Sequence, residues 1–154
     1  MKTLLVMGIG NILLRDEGVG VFCVQELQKK SWPENVSFID GGTFTQDLFY
    51  LFENFDHLLV LDAVRGGKNP GTIYRLEEKD LIENKKQQIS LHDIDLLDSL
   101  KMAELMGKKP QLTVLGIEPE QIAWEMGLTD SLEKSFPDFV SIAEKEINSI
   151  LENF

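Results

Sequence analysis

The apolar run Leu4-Leu5-Val6-Met7 passes directly into Gly8-Ile9-Gly10-Asn11-Ile12-Leu13-Leu14-Arg15-Asp16-Glu17-Gly18-Val19-Gly20, and this stretch most constrains what the chain can become. An apolar run, a glycine-rich segment and a helical pattern in succession read as strand, loop and helix. In an open α/β sheet such a loop lies at the carboxyl end of its strand, where ligands bind. Four glycines permit tight turns and close backbone approach. Asp16 and Glu17 fall where the helix begins, and alone they read as an N-cap and a first-turn acid favoured by the helix dipole. The apolar Ile12-Leu13-Leu14 in the same loop implies a loop that packs down and holds those carboxylates in place.

The rest of the chain repeats the alternation. A first helix is expected over residues 18–30, with Val19, Phe22, Cys23 and Leu27 on one face and Trp32-Pro33 as its stop. A strand over 36–39 closes on Asp40-Gly41-Gly42-Thr43, and a second helix carries Leu48, Leu51, Phe52 and Phe55 at helical spacing. Residues 57–61 form the most apolar strand, ending on Asp62, as expected for the middle of a parallel sheet. The turn-rich connection 65–71 is too short for a helical crossover, so a strand over 72–76 should run antiparallel.

Residues 77–89 read as a polar surface excursion with at most a short helical turn. Ser90-Leu91-His92-Asp93 then leads into a third helix with Leu96, Leu97, Leu100 and Ala103 buried and Gly107 as its stop. A fifth strand, 112–115, closes on Gly116-Ile117-Glu118-Pro119. A final helix over 137–151 presents Val140, Ala143, Ile147, Ile150 and Leu151. The pattern specifies the α/β class: a three-layer α/β/α sandwich with helices on both faces of a five-stranded, mostly parallel twisted sheet carrying one antiparallel strand. No repeat, low-complexity stretch or linker interrupts it, so residues 1–154 read as a single domain.

Charge and cysteine content narrow the function. A net charge of −11 argues against nucleic acid and against an anionic membrane surface. The lone Cys23 excludes an internal disulfide and a cysteine-rich metal site, and reads as a small core residue. Met1-Lys2-Thr3 leads into only four apolar residues, and no run approaches the roughly 18 of a membrane span, so a cytoplasmic protein is expected. A monomer is expected because no long exposed apolar stretch is evident.

Parallel strands finish on one edge of the sheet, which would gather Glu17, Asp40 and Asp62 there. His57 precedes its strand at the opposite edge and reads as structural. His92 reads either as a packing residue before the third helix or, near two carboxylates, as a ligand suited to zinc, nickel or iron. Common catalytic signatures are missing: there is no Gly-x-Ser-x-Gly elbow, no His-Glu-x-x-His and no Walker phosphate loop. The dinucleotide fingerprint fails because Leu13 stands at its third glycine, which disfavours a flavodoxin-like cofactor binder. A response-regulator receiver fails too, since strand one ends in Gly8 and strand five in Gly116-Ile117-Glu118-Pro119 rather than in an acid pair and a lysine.

Taken in order, Gly8-Ile9-Gly10-Asn11 with Asp16-Glu17-Gly18-Val19-Gly20, Asp40-Gly41-Gly42-Thr43, Leu61-Asp62-Ala63-Val64, Ser90-Leu91-His92 and Leu115-Gly116-Ile117-Glu118-Pro119 resemble the [NiFe]-hydrogenase maturation endopeptidases. The resemblance spans nearly the whole chain and looks most like the branch serving uptake-type hydrogenases. Phe44-Thr45-Gln46 departs from it where small residues are common. It implies an enzyme that removes a C-terminal extension from the hydrogenase large-subunit precursor once nickel is inserted, with the substrate's nickel as recognition element. It implies metal ligation by Glu17, Asp62 and His92, with other divalent ions able to occupy the site in vitro. Asp40 matches the acid of the family's Asp-Gly-Gly motif.

Two carboxylates and an imidazole leave coordination positions open to a metal already held by the substrate. Hydrolysis would then be metal-assisted, or aspartic-type with Asp40 or Asp62 as general base, and Asp40, Asp62 and Glu17 are the catalytic candidates. The alternative is a non-catalytic nickel-sensing or chaperone-like module that docks on the precursor without cutting.

Overall fold

The computed structural model describes residues 1–43, 46–83 and 93–154. Five strands, β1 (Leu4–Ile9), β2 (Val36–Gly42), β3 (His57–Ala63), β4 (Ile73–Glu77) and β5 (Gln111–Ile117), form one sheet in the order β2-β1-β3-β5-β4. All neighbouring pairs are parallel except β4 with β5. The strand expected to be most buried is therefore central. From His57 to Asp62 every residue of β3 is buried, because both faces of a central parallel strand are covered.

Alternation divides the core. Leu4, Val6, Leu59, Leu61, Leu115 and Ile117 face α1 (Val19–Gln28) and α4 (Asp130–Glu152). Leu5, Met7, Ile9, Leu58, Val60 and Val114 face α3 (Asp93–Leu105) and Phe52 of the Gln46–Asn54 segment. The short α2 (Glu78–Glu83) buries Leu81 on that second side. Helix α3 ends in a Schellman cap: the Lys108 and Gly107 amides donate to the Ala103 and Glu104 carbonyls, with Gly107 at φ 108°.

Five elements differ from expectation. The Gln46–Asn54 segment is a 3₁₀ helix, not an α-helix. Leu51, Phe52 and Phe55 still pack on the core, whereas the side chain of Leu48 lies outside the described residues. Strands β1, β2 and β5 each run two or three residues beyond the expected apolar runs, carrying Gly8, Asp40 and Gly116 inside the ladder. Helix α4 begins at Asp130, seven residues before the Pro137 expected to open it. It runs through Pro137, whose ring nitrogen offers no N–H to the Glu133 carbonyl. The buried stripe Leu132, Phe139, Ala143, Ile147 and Ile150 on either side of the proline holds the helix together.

Candidate active site

The acids sit where the sheet finishes. After β1 the chain passes through Gly10 at φ 140° and enters a 3₁₀ turn, Arg15–Gly18, that carries Asp16 and Glu17. Glycine is required at Gly10 and Gly20. A Cβ on Gly10 would lie 1.9 Å from the Glu17 carbonyl oxygen, and one on Gly20 would lie 2.0 Å from that of Leu61. The start of α1 is thereby pressed onto the end of β3, and the turn bearing Glu17 comes beside the strand end bearing Asp62. Both carboxylates are buried, Glu17 at 9% exposure and Asp62 at 3%. Asp62 Oδ1 accepts the Ala63 amide at 2.8 Å.

Asp16 and Glu17 are adjacent in sequence but differ in surroundings. Asp16 is fully buried and accepts the backbone amides of Glu120, Gln121 and Thr129 at 2.8–3.0 Å together with the Thr129 hydroxyl. It therefore caps a helix, as its residue type suggests, but the helix is α4 and not α1. Thr129 is the N-cap residue of α4, and the Asp16 carboxylate lies at its positive end. Arg15, just before, adopts φ 53°, a left-handed conformation costly for a residue with a Cβ, and it is fixed by backbone bonds on both sides.

Asp40 takes a different position. Gly8 pairs with Asp40 on one side and Leu61 on the other, which sets Asp40 and Leu61 two strand spacings apart, about 10 Å. Asp62, one residue on, projects to the opposite face by strand alternation. Asp40 is exposed, accepts the Gly42 amide at 2.8 Å and lines a cleft of about 270 Å³ with Gly10, Asn11, Ile12, Val21 and Thr43. A cleft of about 430 Å³ between α1 and α4, lined by Phe22, Leu128 and Phe136, contains none of the candidate acids. His92, with Ser90, Leu91, Phe44 and Thr45, lies outside the described residues. Among the described residues no three His, Cys, Asp or Glu side chains converge as a metal cage. His57 lies at the amino edge, its Nε2 2.9 Å from the Thr113 hydroxyl, and burial pushes its pKa down.

A model of the hydrogenase maturation protease family matches residues 21–146. This chain belongs to the hydrogenase maturation protease family. It is 38% identical over 133 residues to the hydrogenase 2 maturation protease of Escherichia coli K12, covering 84% of this chain and 81% of that protein. It is 37% identical over 124 residues to the hydrogenase expression/formation protein HupD of Rhodobacter capsulatus, spanning 79% of this chain and 59% of that one. Among solved structures it resembles the hydrogenase maturating endopeptidase HybD from E. coli, with a TM-score of 0.85 and 33% identity over 96% of this chain and 93% of that one. The mixed five-stranded architecture is thus that of a HybD-like peptidase.

One structural acid escaped the sequence reading of roles. Glu118 is buried at the end of β5, and its Oε1 accepts the Gly66 and Lys68 amides and the Tyr74 hydroxyl, which ties down the connection between β3 and β4. Burial and the Glu118 carboxylate push the Tyr74 phenol up to about 12. The signal was present: Glu118 ends a buried strand just as Asp62 does. Thr129-Asp130 is likewise a recognisable helix start, passed over because Pro137 offered a more familiar one.

Proposed function

We propose that this protein is the endopeptidase that removes the C-terminal extension of a [NiFe]-hydrogenase large-subunit precursor after nickel insertion, with the nickel arriving on the substrate. The observation that carries the proposal is the pair of buried carboxylates, Glu17 and Asp62, set on neighbouring elements at the carboxyl edge of the sheet in a member of this family. Two hard oxygen donors without a thiolate suit brief sharing of a divalent ion better than permanent retention. His92 completes the donor set.

The metal-guided reading is favoured over a paired-aspartate mechanism by register. An aspartic dyad shares one proton between carboxyls roughly 3 Å apart. Asp40 and Asp62 belong to strands separated by β1 and project to opposite faces. In our reading Glu17 and Asp62 orient the substrate-borne ion, and one of them takes the proton of the attacking water as its oxygen bonds to the scissile carbonyl carbon. The C–N bond then breaks and the proton passes to the leaving amine. Asp40, in its exposed cleft, contacts the polypeptide on either side of that bond.

The experiment is cleavage of purified nickel-loaded precursor followed by intact mass. Glu17→Gln, Asp62→Asn and His92→Ala should each lose about a hundredfold or more of the rate, the usual scale for removing a group that acts in the transition state. Asp40→Asn should lose much less. Binding without a mass change by the wild-type protein would replace the protease with a docking module. Equal cutting by the first three variants would overturn the site.

A further inference from the structure

The rim beside Glu17 exposes large apolar side chains: Leu13 is 47% exposed, Trp124 80% and Met126 63%. They belong to two segments stitched together by backbone. The Glu125 amide donates to the Leu13 carbonyl at 3.0 Å, and the Arg15 amide to the Glu125 carbonyl at 2.9 Å. Leu14 pairs with Glu125 as an isolated parallel bridge. The same assembly is bolted to the acids, since the Glu17 amide donates to the Leu14 carbonyl and Asp16 holds the amides of Glu120, Gln121 and Thr129. Trp124 therefore rides on a fixed platform one short step along the backbone from Glu17. A held, exposed indole among apolar neighbours is the composition that dominates binding energy at interfaces.

Charge limits the occupant. Residues 119–130 contain Glu120, Glu125 and Asp130 and no lysine or arginine. All three acids are exposed, and the nearby cation Arg15 is paired with Glu125 at 3.5 Å. We infer that Leu13, Trp124 and Met126, rimmed by these acids, form the docking platform for the polypeptide substrate, through a segment flanking the scissile bond that carries an apolar side chain and a lysine or arginine. This rests on the protease reading above, because the platform's attachment to Glu17 identifies its occupant as whatever that acid acts on. It adds a recognition surface that works through the polypeptide and not through the metal.

The chain has two tryptophans, and Trp32 is partly buried against Phe38, so a Trp32→Phe protein reports Trp124 alone. Titrated with purified nickel-loaded precursor, its emission should shift to the blue and its quenching by acrylamide should fall. In the otherwise wild-type chain, Trp124→Ala with Met126→Ala should raise KM about tenfold with kcat within about twofold, the split expected for contacts made equally in ground and transition state. Glu120→Lys should raise KM for the same precursor, and added salt should reduce the difference between Glu120→Lys and wild type.

Unchanged Trp124 emission while precursor is bound and cut would overturn the platform and leave the protease reading standing. A blue shift on concentrating the protein alone would assign the surface to a second copy and also overturn it. Shielding of Trp124 by precursor that is never cut would keep the platform and remove the protease. Neither shielding nor cutting would remove both.

Discussion

Replacing Asp16 tests whether the acid beside the candidate ligand is structural. Four donors converge on its two oxygens: the Glu120, Gln121 and Thr129 amides at 2.9, 3.0 and 2.8 Å and the Thr129 hydroxyl at 2.8 Å. A hydrogen bond to a charged group contributes about 1.5–3 kcal/mol, and these four share one carboxylate and are not additive. Asp16→Ala leaves the donors facing a methyl group, at a cost of about 4 kcal/mol after some water enters. Asp16→Asn can keep one oxygen toward Glu120 and Gln121 and let the Thr129 hydroxyl accept, which strands the Thr129 amide and costs about 2–3 kcal/mol. Thr129→Val removes only the hydroxyl, at about 1 kcal/mol.

For a domain of this size each kcal/mol lowers Tm by roughly 2–4 °C, so the Asp16→Ala protein should melt about 8–16 °C below wild type, with Asp16→Asn between and Thr129→Val nearest wild type. Calorimetry measures the series. Amide exchange locates it, because the Glu120, Gln121 and Thr129 amides should lose protection first if the segment detaches before the sheet melts. An Asp16→Ala protein melting within about 3 °C of wild type, with those amides still protected, would refute the structural role assigned to Asp16.

Gly20→Ala sets a Cβ 2.0 Å from the Leu61 carbonyl oxygen and 2.7 Å from that of Ile9, both backbone, so it should cost about 3 kcal/mol or fail to fold. Gly67→Ala meets nothing within 4 Å at φ 81° and should cost only about 1–2 kcal/mol by denaturant melts; equal losses would show that the close approach at Gly20 is not limiting. Burial, aided by Glu26, pushes the Cys23 thiol up to about 12, so a disulfide reagent at pH 8 should label it only after urea unfolding, and fast labelling of the native protein would contradict its burial. His57 is held neutral by burial, with Arg75 adding to the same effect against Glu146. Its contribution is complete above the unfolded value of 6.5 and falls as pH drops from there through the lowered folded value. Wild type should accordingly lose more Tm than His57→Gln between pH 7.5 and 5.5, and parallel losses would refute the assignment.

How far the sequence revealed this molecule depended on the range of the forces involved. The central strand and the antiparallel one followed from local pattern: the apolar run ending in Asp62 became the central β3, and the short 65–71 connection made β4 antiparallel as its length required. Where apolar pattern and chain geometry disagreed, the reading went astray. Pro137 marks a helix start when only local propensity is weighed, yet the buried stripe from Leu132 to Ile150 outweighs the missing N–H. The 46–54 segment has helical spacing, yet winds as a 3₁₀ helix. Boundaries at Gly8, Asp40 and Gly116 were set by pairing with a neighbouring strand, which no single run can express.

The site was legible in residue type more than in role. Glu17, Asp40, Asp62, Glu118 and Asp16 are five acids at one edge of the sheet, and hydrogen-bond partners far away in sequence separate them. Asp16 is committed by amides more than a hundred residues on, and Glu118 by a loop about fifty residues back. A carboxylate whose oxygens are filled by backbone amides has little capacity left for a metal or a proton. Those contacts assign Asp16 and Glu118 to scaffolding. The scaffolding pair act on the segments around the edge, Asp16 on residues 120–129 and Glu118 on residues 66–74. Buried negative charge here thus draws loops inward by their amides, and those loops shape the edge of the sheet that carries Glu17 and Asp62.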